Sequence, residues 1–135
     1  MRKNLLFIVI VISIALAVFL FLTYGVKEFI NLLSYFQKSN LYKDNIVLFY
    51  SSGCQHCIKV DNFIKDNKIE DKVKFTRLEV SNNSVNANIL VDKAQICGLD
   101  NRQIGVPFLW DGKNCIIGGV DVIKFFQDKI SSQKP

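Results

Sequence analysis

The chain has 135 residues, a length that suits one domain of ordinary size or a smaller domain with an appendage. Its formal net charge of +5 includes Arg2 and Lys3, so about +3 remains on the rest of the chain. That excess is too small and too scattered for a nucleic-acid-binding surface, so polyanions are excluded as the expected partners.

The N-terminal part of the chain has the pattern of a membrane span. Leu5–Leu22 is a run of 18 uncharged residues interrupted only by Ser13, and a helix needs roughly 17–25 apolar residues to cross a bilayer. We therefore predict a transmembrane anchor over residues 1–25. A cleaved signal peptide is the competing interpretation, because Ala15-Leu16-Ala17 resembles a cleavage site. The length of the apolar run favours the anchor.

The charges on either side of the apolar run predict its orientation. Arg2 and Lys3 precede it, whereas Lys27 on the far side is accompanied by Glu28. Because positive residues are retained on the cytoplasmic side, we expect a single-pass protein with a cytoplasmic N-terminus and the remainder outside. All four cysteines lie in that exported part, where an oxidising compartment keeps disulfides stable.

Residues 26–45 mix apolar and polar side chains and contain no proline. This mixture is typical of an amphipathic helix, so we predict a helical stalk that continues the anchor. A helix that rests on the membrane or on the following domain is preferred over a specific partner site.

From Ile46 onward, strand and helix patterns alternate. The predicted elements are a buried strand Ile46–Tyr50, a helix from Cys57 to about Asn67, a half-buried strand Lys72–Val80, a helix Val85–Cys97 closed by Gly98, a hairpin of Val106–Trp110 and Asn114–Ile117 around Asp111-Gly112, and a helix Val120–Ile130. The polar side of the strand Lys72–Val80 is expected to face water. The order βαβαββα predicts one α/β domain over residues 46–135.

Two cysteines separated by two residues, Cys54 and Cys57, directly follow the first buried strand. A helix that begins there presents unpaired N–H groups and the positive end of its dipole, which favour a thiolate on the first cysteine. Cys54 is therefore the predicted nucleophile. Cys57, one turn further, is placed to attack the mixed disulfide and release the product.

His56 lies between these cysteines. An imidazole there favours the thiolate and the reduced pair, which makes the disulfide a stronger oxidant and indicates oxidase or isomerase work. The alternative is that His56 is simply an exposed residue at a helix start.

The run Val47–Cys57 resembles the active-site strand, loop and helix start of glutaredoxins and thioredoxins, and Gly105–Leu109 resembles their cis-proline strand. The resemblance implies a thioredoxin-like fold with a four-stranded mixed sheet flanked by helices. It also implies that Pro107 is the cis-proline facing the cysteines, and that the backbone of Val106 pairs with an extended substrate chain. Without the resemblance, Pro107 reads as the first residue of a strand.

The segment Gly112–Asp121 resembles the glutaredoxin segment that borders the glutathione site. By position, Gly118, Gly119 and Asp121 carry this similarity and are implied to bind substrate, with glutathione as an optional co-substrate. Apart from the redox-active disulfide, no cofactor is expected. Asp121 is also explained as a first-turn carboxylate that complements the helix dipole, and this role is preferred.

The sequence departs from thioredoxins at two places: no tryptophan directly precedes Cys54, and Leu48 stands where thioredoxins bury an acidic residue used in proton transfer. These departures argue against a thioredoxin-type reductase as partner. The middle residues Gln55 and His56 match neither family, although the histidine resembles that of protein disulfide isomerases. The expected partners are protein thiols or disulfides and a membrane redox partner.

Cys97 and Cys115 form a second pair. We predict a structural disulfide that closes a loop of 17 intervening residues, for which chain entropy predicts roughly 3 kcal/mol of stabilisation. Two separate buried thiols are one alternative. A redox relay with the first pair is another, and it requires Cα atoms within about 7 Å.

Three other functions stay open. Zinc could be held by Cys54 and Cys57 together with Cys97 and Cys115 or with His56, although no metal site is predicted. A thioredoxin-like domain could present clients without turning over. A glutathione-linked reductase would use the same cysteines with the opposite direction of electron flow.

Overall fold

The computed structural model describes residues 2–100, 102 and 104–132, and the side chains of all of these except residues 2–6, 39 and 41. Residue 1 of the predicted anchor and residues 101, 103 and 133–135 of the predicted domain lie outside the described residues. The chain divides into two compact units, Met1–Phe36 and Gln37–Pro135.

The first unit is helical throughout its described part. Helix α1, Arg2–Leu41, runs 40 residues without a break, so the predicted anchor and stalk are joined in one helix. Its stretch Phe7–Lys38 contains an 18-residue window with a mean hydropathy of 2.8 and is long and apolar enough to cross a membrane. The Ser13 and Thr23 hydroxyls donate to carbonyls three residues earlier, so they satisfy themselves within the helix. A membrane span and a signal sequence share these properties.

The second unit begins at Gln37, earlier than the predicted boundary at Ile46. Three contacts join the last turn of α1 and the following loop to the domain. Tyr42 is buried, the Lys38 ammonium donates to Asn86 Oδ1 at 3.5 Å, and Trp110 Nε1 donates to the Lys43 carbonyl at 3.0 Å.

The domain contains four strands and three further helices. They are β1 Val47–Tyr50, α2 Gln55–Asp66, β2 Thr76–Glu79, α3 Ser84–Ile96, β3 Phe108–Trp110, β4 Cys115–Ile117 and α4 Gly119–Ser131, with a short 3-10 turn Ile69–Asp71 after α2. The strands lie in the order β2-β1-β3-β4. Strands β1 and β2 are parallel, and the other two pairs are antiparallel. The predicted βαβαββα order and mixed four-stranded sheet are confirmed.

Helices cover both faces of the sheet. One face packs against α2 and α4, and its buried cluster consists of Leu48, Val60, Ile64, Ile69, Val73, Leu109, Val122 and Phe126. Because side chains alternate along a strand, Phe49 and Phe108 point to the other face, where their rings meet edge to face at 5.9 Å. Ile89, Leu90 and Ala94 of α3 are also buried, and they lie outside the cluster between the sheet and α2 and α4.

The region between α2 and β2 differs from the prediction. Helix α2 ends at Asp66, and the Asn67 side chain donates to the Phe63 carbonyl at 2.9 Å as a C-terminal cap. Ile69 belongs to the 3-10 turn and is buried. The predicted strand Lys72–Val80 is shortened to Thr76–Glu79, because the Val73 N–H bonds the Ile69 carbonyl instead of a neighbouring strand.

The expectation that the polar side of this strand faces water is wrong for Arg77. The alternation of polar and apolar residues changes phase at Thr76-Arg77. Arg77 lies opposite Leu48 in the register of β1 and β2, so its side chain points to the face covered by α2. The Arg77 side chain is 30% exposed.

Candidate active site

The start of α2 is built around Cys54. The loop Ser51-Ser52-Gly53 turns the chain after β1, and the Cys54 N–H donates to the Ser51 carbonyl at 3.2 Å. Cys54 is the N-cap in an extended conformation, and its Sγ accepts a hydrogen bond from the Cys57 N–H at 3.2 Å. The sulfur thus takes the role that an oxygen usually plays at a helix N-cap, among the unpaired N–H groups of the first turn.

The two cysteines are free thiols in different surroundings. Cys54 is partly exposed, whereas Cys57 is buried with 6% of its surface exposed. Burial raises the pKa of Cys57 from 9.0 to about 11, and the hydrogen bond with the Cys54 side chain adds to the increase. The outer sulfur can meet a substrate, and the inner one is held protonated behind it.

The segment Val106-Pro107 forms a wall beside Cys54. The Cys54 thiol donates to the Val106 carbonyl at 3.3 Å. Pro107 is buried, the Val106–Pro107 peptide bond is cis, and β3 begins directly after it. The backbone of Val106 therefore lies in contact with the nucleophilic sulfur.

Two glycines bring the start of α4 to the same place. The Gly118 N–H donates to the Pro107 carbonyl at 2.9 Å, and Gly118 has φ 94° and ψ 153°, a conformation that L residues avoid. A Cβ on Gly119 would lie 3.3 Å from the His56 carbonyl oxygen. His56 is exposed in the first turn of α2, and Asp121 is exposed in the first turn of α4.

The structure therefore brings Cys54, Cys57, Val106, Pro107 and the two glycines together where α2 and α4 begin. His56 and Asp121 lie in the first turns of these helices with their side chains toward solvent.

A cavity behind Cys57 was not predicted from the sequence. It has a volume of about 110 Å³ and is lined by Tyr50, Ser51, Ser52, Cys57, Ile58, Asp61 and Arg77. Arg77 NH2 donates to Asp61 Oδ1, and its guanidinium lies 5.2 Å from the centre of the Tyr50 ring. Two features of the sequence are related to this cavity, although neither predicts the pairing: Asp61 is one helical turn after Cys57, and Arg77 marks the change of phase in β2.

Asp61 is held ionised beside this cavity. The Lys65 ammonium lies 2.6 Å from Asp61 Oδ2. Hydrogen bonds from Lys65 first and then Arg77 lower the pKa of the Asp61 carboxyl, against an opposing contribution from burial. At neutral pH the site contains an intact carboxylate–guanidinium pair.

Cys97 and Cys115 are joined in a disulfide with a Cα–Cα distance of 6.2 Å. Cys115 is paired with Trp110, which is paired with Val47 at the start of β1. Cys54 follows the other end of β1, about 10 Å along the strand. The second pair lies at the opposite end of the sheet from the first, so a direct relay between them is not arranged.

The arrangement does not gather zinc ligands. Within the described residues, no group of three or more His, Cys, Asp and Glu side chains is placed to hold a metal ion. The sulfurs of Cys97 and Cys115 are bonded to each other, so they are not ligands alongside Cys54 and Cys57.

Known structures with a similar fold are glutaredoxins. The buckwheat glutaredoxin–glutathione complex is 21% identical over 76% of this chain and 88% of that chain, with a TM-score of 0.51. Oxidized glutaredoxin 2 from Chlamydomonas reinhardtii is 17% identical over 73% of this chain and 86% of that chain, with a TM-score of 0.48. No family model matches the sequence, and no curated protein matches it as a relative. The chain thus has the thioredoxin/glutaredoxin-like fold.

Proposed function

We propose that this chain is a membrane-anchored thiol-disulfide oxidoreductase that acts on protein thiols through Cys54 and Cys57, as a disulfide donor or isomerase. One observation carries the proposal. At the N-terminus of α2, the partly exposed Cys54 sulfur accepts the Cys57 N–H, and the Cys57 thiol is buried behind it. An accessible nucleophile with a protected second thiol is what a two-step exchange requires.

The reaction proceeds through one mixed disulfide. In the reducing direction, the Cys54 thiolate attacks a substrate disulfide, and one substrate sulfur leaves as a thiolate. Cys57 then loses its proton to solvent and attacks the Cys54 sulfur, which releases the second substrate thiolate and leaves the Cys54–Cys57 disulfide. The same steps in reverse oxidise a substrate dithiol. An extended substrate chain would pair with the backbone of Val106, next to the reacting sulfur.

His56 supports the oxidising direction. It is exposed in the first turn of α2, one residue before Cys57. A cationic or hydrogen-bonding imidazole at this point favours the thiolate of the pair and thereby makes the disulfide a stronger oxidant.

A glutathione-linked reductase is the second candidate. Gly118 is bonded to Pro107, and Gly119 lies against His56, and both of these residues belong to the active-site segments. Asp121 follows the two glycines in the first turn of α4. One structural neighbour is a glutaredoxin–glutathione complex. In this candidate, glutathione would resolve the mixed disulfide. The bound glutathione would lie against Gly118, Gly119 and Asp121.

We place the domain on the extracytoplasmic side of a membrane, with α1 as its anchor. Arg2 and Lys3 precede the apolar stretch and favour a cytoplasmic N-terminus. The Cys97–Cys115 disulfide suits an oxidising compartment. A redox partner in the same membrane would then restore Cys54 and Cys57 after each turnover.

The reduction potential of the Cys54–Cys57 pair tests the proposal. The full-length protein in detergent would be equilibrated with glutathione buffers while the state of Cys97 and Cys115 is followed separately. A potential of about −120 mV supports a disulfide donor, and one of about −270 mV indicates a reductant. If the pair forms no titratable disulfide, the redox function is wrong and a binding module remains.

A further inference from the structure

Helix α1 is longer than the hydrocarbon core of a membrane is thick. Its 40 residues extend about 60 Å at 1.5 Å per residue, whereas the core measures about 30 Å. At a typical tilt of about 20°, the core accommodates about 21 residues of helix. With the proposed anchor inserted from Leu5, the core ends near Gly25, and the helix continues beyond it.

Beyond Gly25, apolar side chains are concentrated on one face of the helix. At about 100° per residue, the apolar face consists of Phe29, Leu32, Leu33 and Phe36, and the polar face consists of Lys27, Asn31 and Ser34, with Ile30 between the two faces. The four side chains of the apolar face are 51–59% exposed. On the polar face, the Ser34 hydroxyl donates to the Asn31 carbonyl at 2.8 Å.

This apolar face is large enough to require a partner. With roughly 150–200 Å² for each side chain, about half of it exposed, the four residues present roughly 300–400 Å² of apolar surface. An exposed patch of this size marks an interaction site. The unbroken helix does not bend to lay the face on the membrane surface. Pairing with an identical face would bury roughly 600–800 Å², which is less than the roughly 1,200 Å² of a stable interface, so the contact must continue into the membrane.

Gly25 allows that continuation. It lies in a groove of about 330 Å³ lined by Phe21, Leu22, Gly25, Val26 and Phe29. A Cβ on Gly25 would meet no described atom within 4 Å, so the helix itself does not require a glycine, which is unfavourable in a helix interior. In membrane helices, glycine lets a second backbone approach closely.

The groove and the apolar face form one continuous seam. The seam consists of Leu22, Gly25, Phe29, Leu32 and Phe36. Its residues follow one another at intervals of three and four, which is the seven-residue repeat of paired helices. Lys27 points away from the seam and Glu28 lies at its flank, so charged side chains do not oppose each other across it.

We propose that α1 pairs in parallel with α1 of a second copy of this chain along this seam. The inference rests on the proposed anchor, because insertion in one direction makes the two helices parallel. In a symmetric parallel pair each seam residue meets its own counterpart, so one apolar face matches the other. The groove at Gly25 brings the two backbones together inside the membrane, and the exposed face pairs outside it.

Cysteine cross-linking maps the contact. The full-length protein with Cys54→Ser and Cys57→Ser would be reconstituted in phosphatidylcholine vesicles, where Cys97 and Cys115 stay bonded to each other. Single cysteines would then be introduced one at a time on the two faces, and disulfide-linked dimers would be counted after mild oxidation with copper phenanthroline.

The seam positions should cross-link and the polar positions should not. Phe29→Cys, Leu32→Cys and Phe36→Cys should each form dimers at least about fivefold faster than Asn31→Cys and Ser34→Cys, because seam residues face their counterparts. Equal rates on the two faces, faster cross-linking on the polar face, or no dimers would overturn the proposal. A face covered by lipid or by a different protein would leave the purified chain without dimers.

Gly25→Leu tests the groove. A leucine there fills the space and separates the backbones, so dimer formation by Phe29→Cys should fall at least about fivefold. Thr23→Leu is the matched control, because it adds the same side chain outside the seam, where the Thr23 hydroxyl bonds the Leu20 carbonyl of its own helix. It should leave the rate within about twofold. Equal effects of the two substitutions would refute the role of Gly25.

The redox function does not enter this experiment, because both active-site thiols are replaced. An alkaline carbonate wash of the vesicles checks the anchor separately. A chain that the wash releases would refute the anchor and the pairing with it, whereas a retained chain without dimers would refute the pairing alone.

Discussion

At the scale of single residues, two thiols three positions apart acquire different chemistry from the sheet and helix around them. Cys54 is the N-cap and contacts the Val106 carbonyl at 3.3 Å, whereas Cys57 is almost fully buried. The sequence predicted these two roles from the spacing of the cysteines and from their position between a buried strand and a helix start. It could not show the carboxylate–guanidinium pair behind Cys57, because that pair depends on which face of β2 is covered by α2.

Burial of Cys57 makes the stability of the reduced protein depend on pH. Its folded pKa of about 11 lies above the ordinary 9.0, so between pH 9 and 11 the unfolded chain loses a proton that the folded protein keeps. Stability should be fully present below pH 9 and decline by about 2 kcal/mol through this window. Urea unfolding at several pH values measures it.

Cys57→Ala is the control for that measurement, because it retains every other group that titrates in the same range. The decline should be smaller in the variant by the Cys57 contribution. Equal declines in the two proteins would show that Cys57 ionises as easily in the folded state as in the unfolded chain.

The backbone conformation at position 118 requires a glycine. Its φ of 94° and ψ of 153° belong to a region open essentially to glycine, so Gly118→Ala should lower the free energy of unfolding by about 1–3 kcal/mol. It should also weaken the bond from its N–H to the Pro107 carbonyl. Thermal or urea unfolding gives the first quantity. Gly53→Ala is the matched control, since a Cβ there meets nothing within 4 Å; a similar loss in both variants would refute the argument.

At the scale of elements, continuous apolar runs and clear periodicity predicted the order of strands and helices. They did not predict the residues at which neighbouring elements begin and end. Strand β2 starts four residues later than predicted because Ile69–Asp71 forms a 3-10 turn. Lys68, with φ 50°, precedes this turn, and the sequence contains no glycine there to signal it. Helix α1 is different, because its unbroken course agrees with the predicted helical stalk that continues the anchor.

The Cys97–Cys115 disulfide constrains the part of the chain that lies beside Cys54. It joins the end of α3 to β4 across a separation of 18 residues, and the chain between them contains Val106-Pro107. Replacing both cysteines with alanine should lower the free energy of unfolding by about 3 kcal/mol, as expected from loop closure. Chemical denaturation measures the change. The Cys54→Ala/Cys57→Ala pair of substitutions is the control; no difference between native protein and the Cys97→Ala/Cys115→Ala variant would contradict the prediction.

At the scale of the whole molecule, the sequence predicted both the apolar helix and the fold of the domain, because each follows from long patterns. It could not locate where the domain begins, since that depends on the distant partners of Lys38, Tyr42 and Lys43. The choice between Cys97–Cys115 pairing and separate thiols likewise depends on strand register, which residue patterns leave open.

The anchor proposal predicts that the full-length chain stays in the membrane fraction after an alkaline carbonate wash. A variant lacking residues 1–25 should leave that fraction, because it loses most of the apolar stretch Phe7–Lys38. In intact cells, Cys54 in a Cys57→Ser background should react with a membrane-impermeant maleimide. A shortened, freely soluble product would instead establish a cleaved signal peptide.

Trp110 is the single tryptophan of the chain, and it lies directly across from Cys115 in the pairing of β3 and β4. Its indole N–H is bonded to the Lys43 carbonyl at 3.0 Å. A neighbouring disulfide accepts an electron from an excited indole and quenches its fluorescence. The intrinsic emission of this protein therefore reports on Cys97–Cys115: it brightens when that bond is reduced and stays dim while Cys54 and Cys57 turn over.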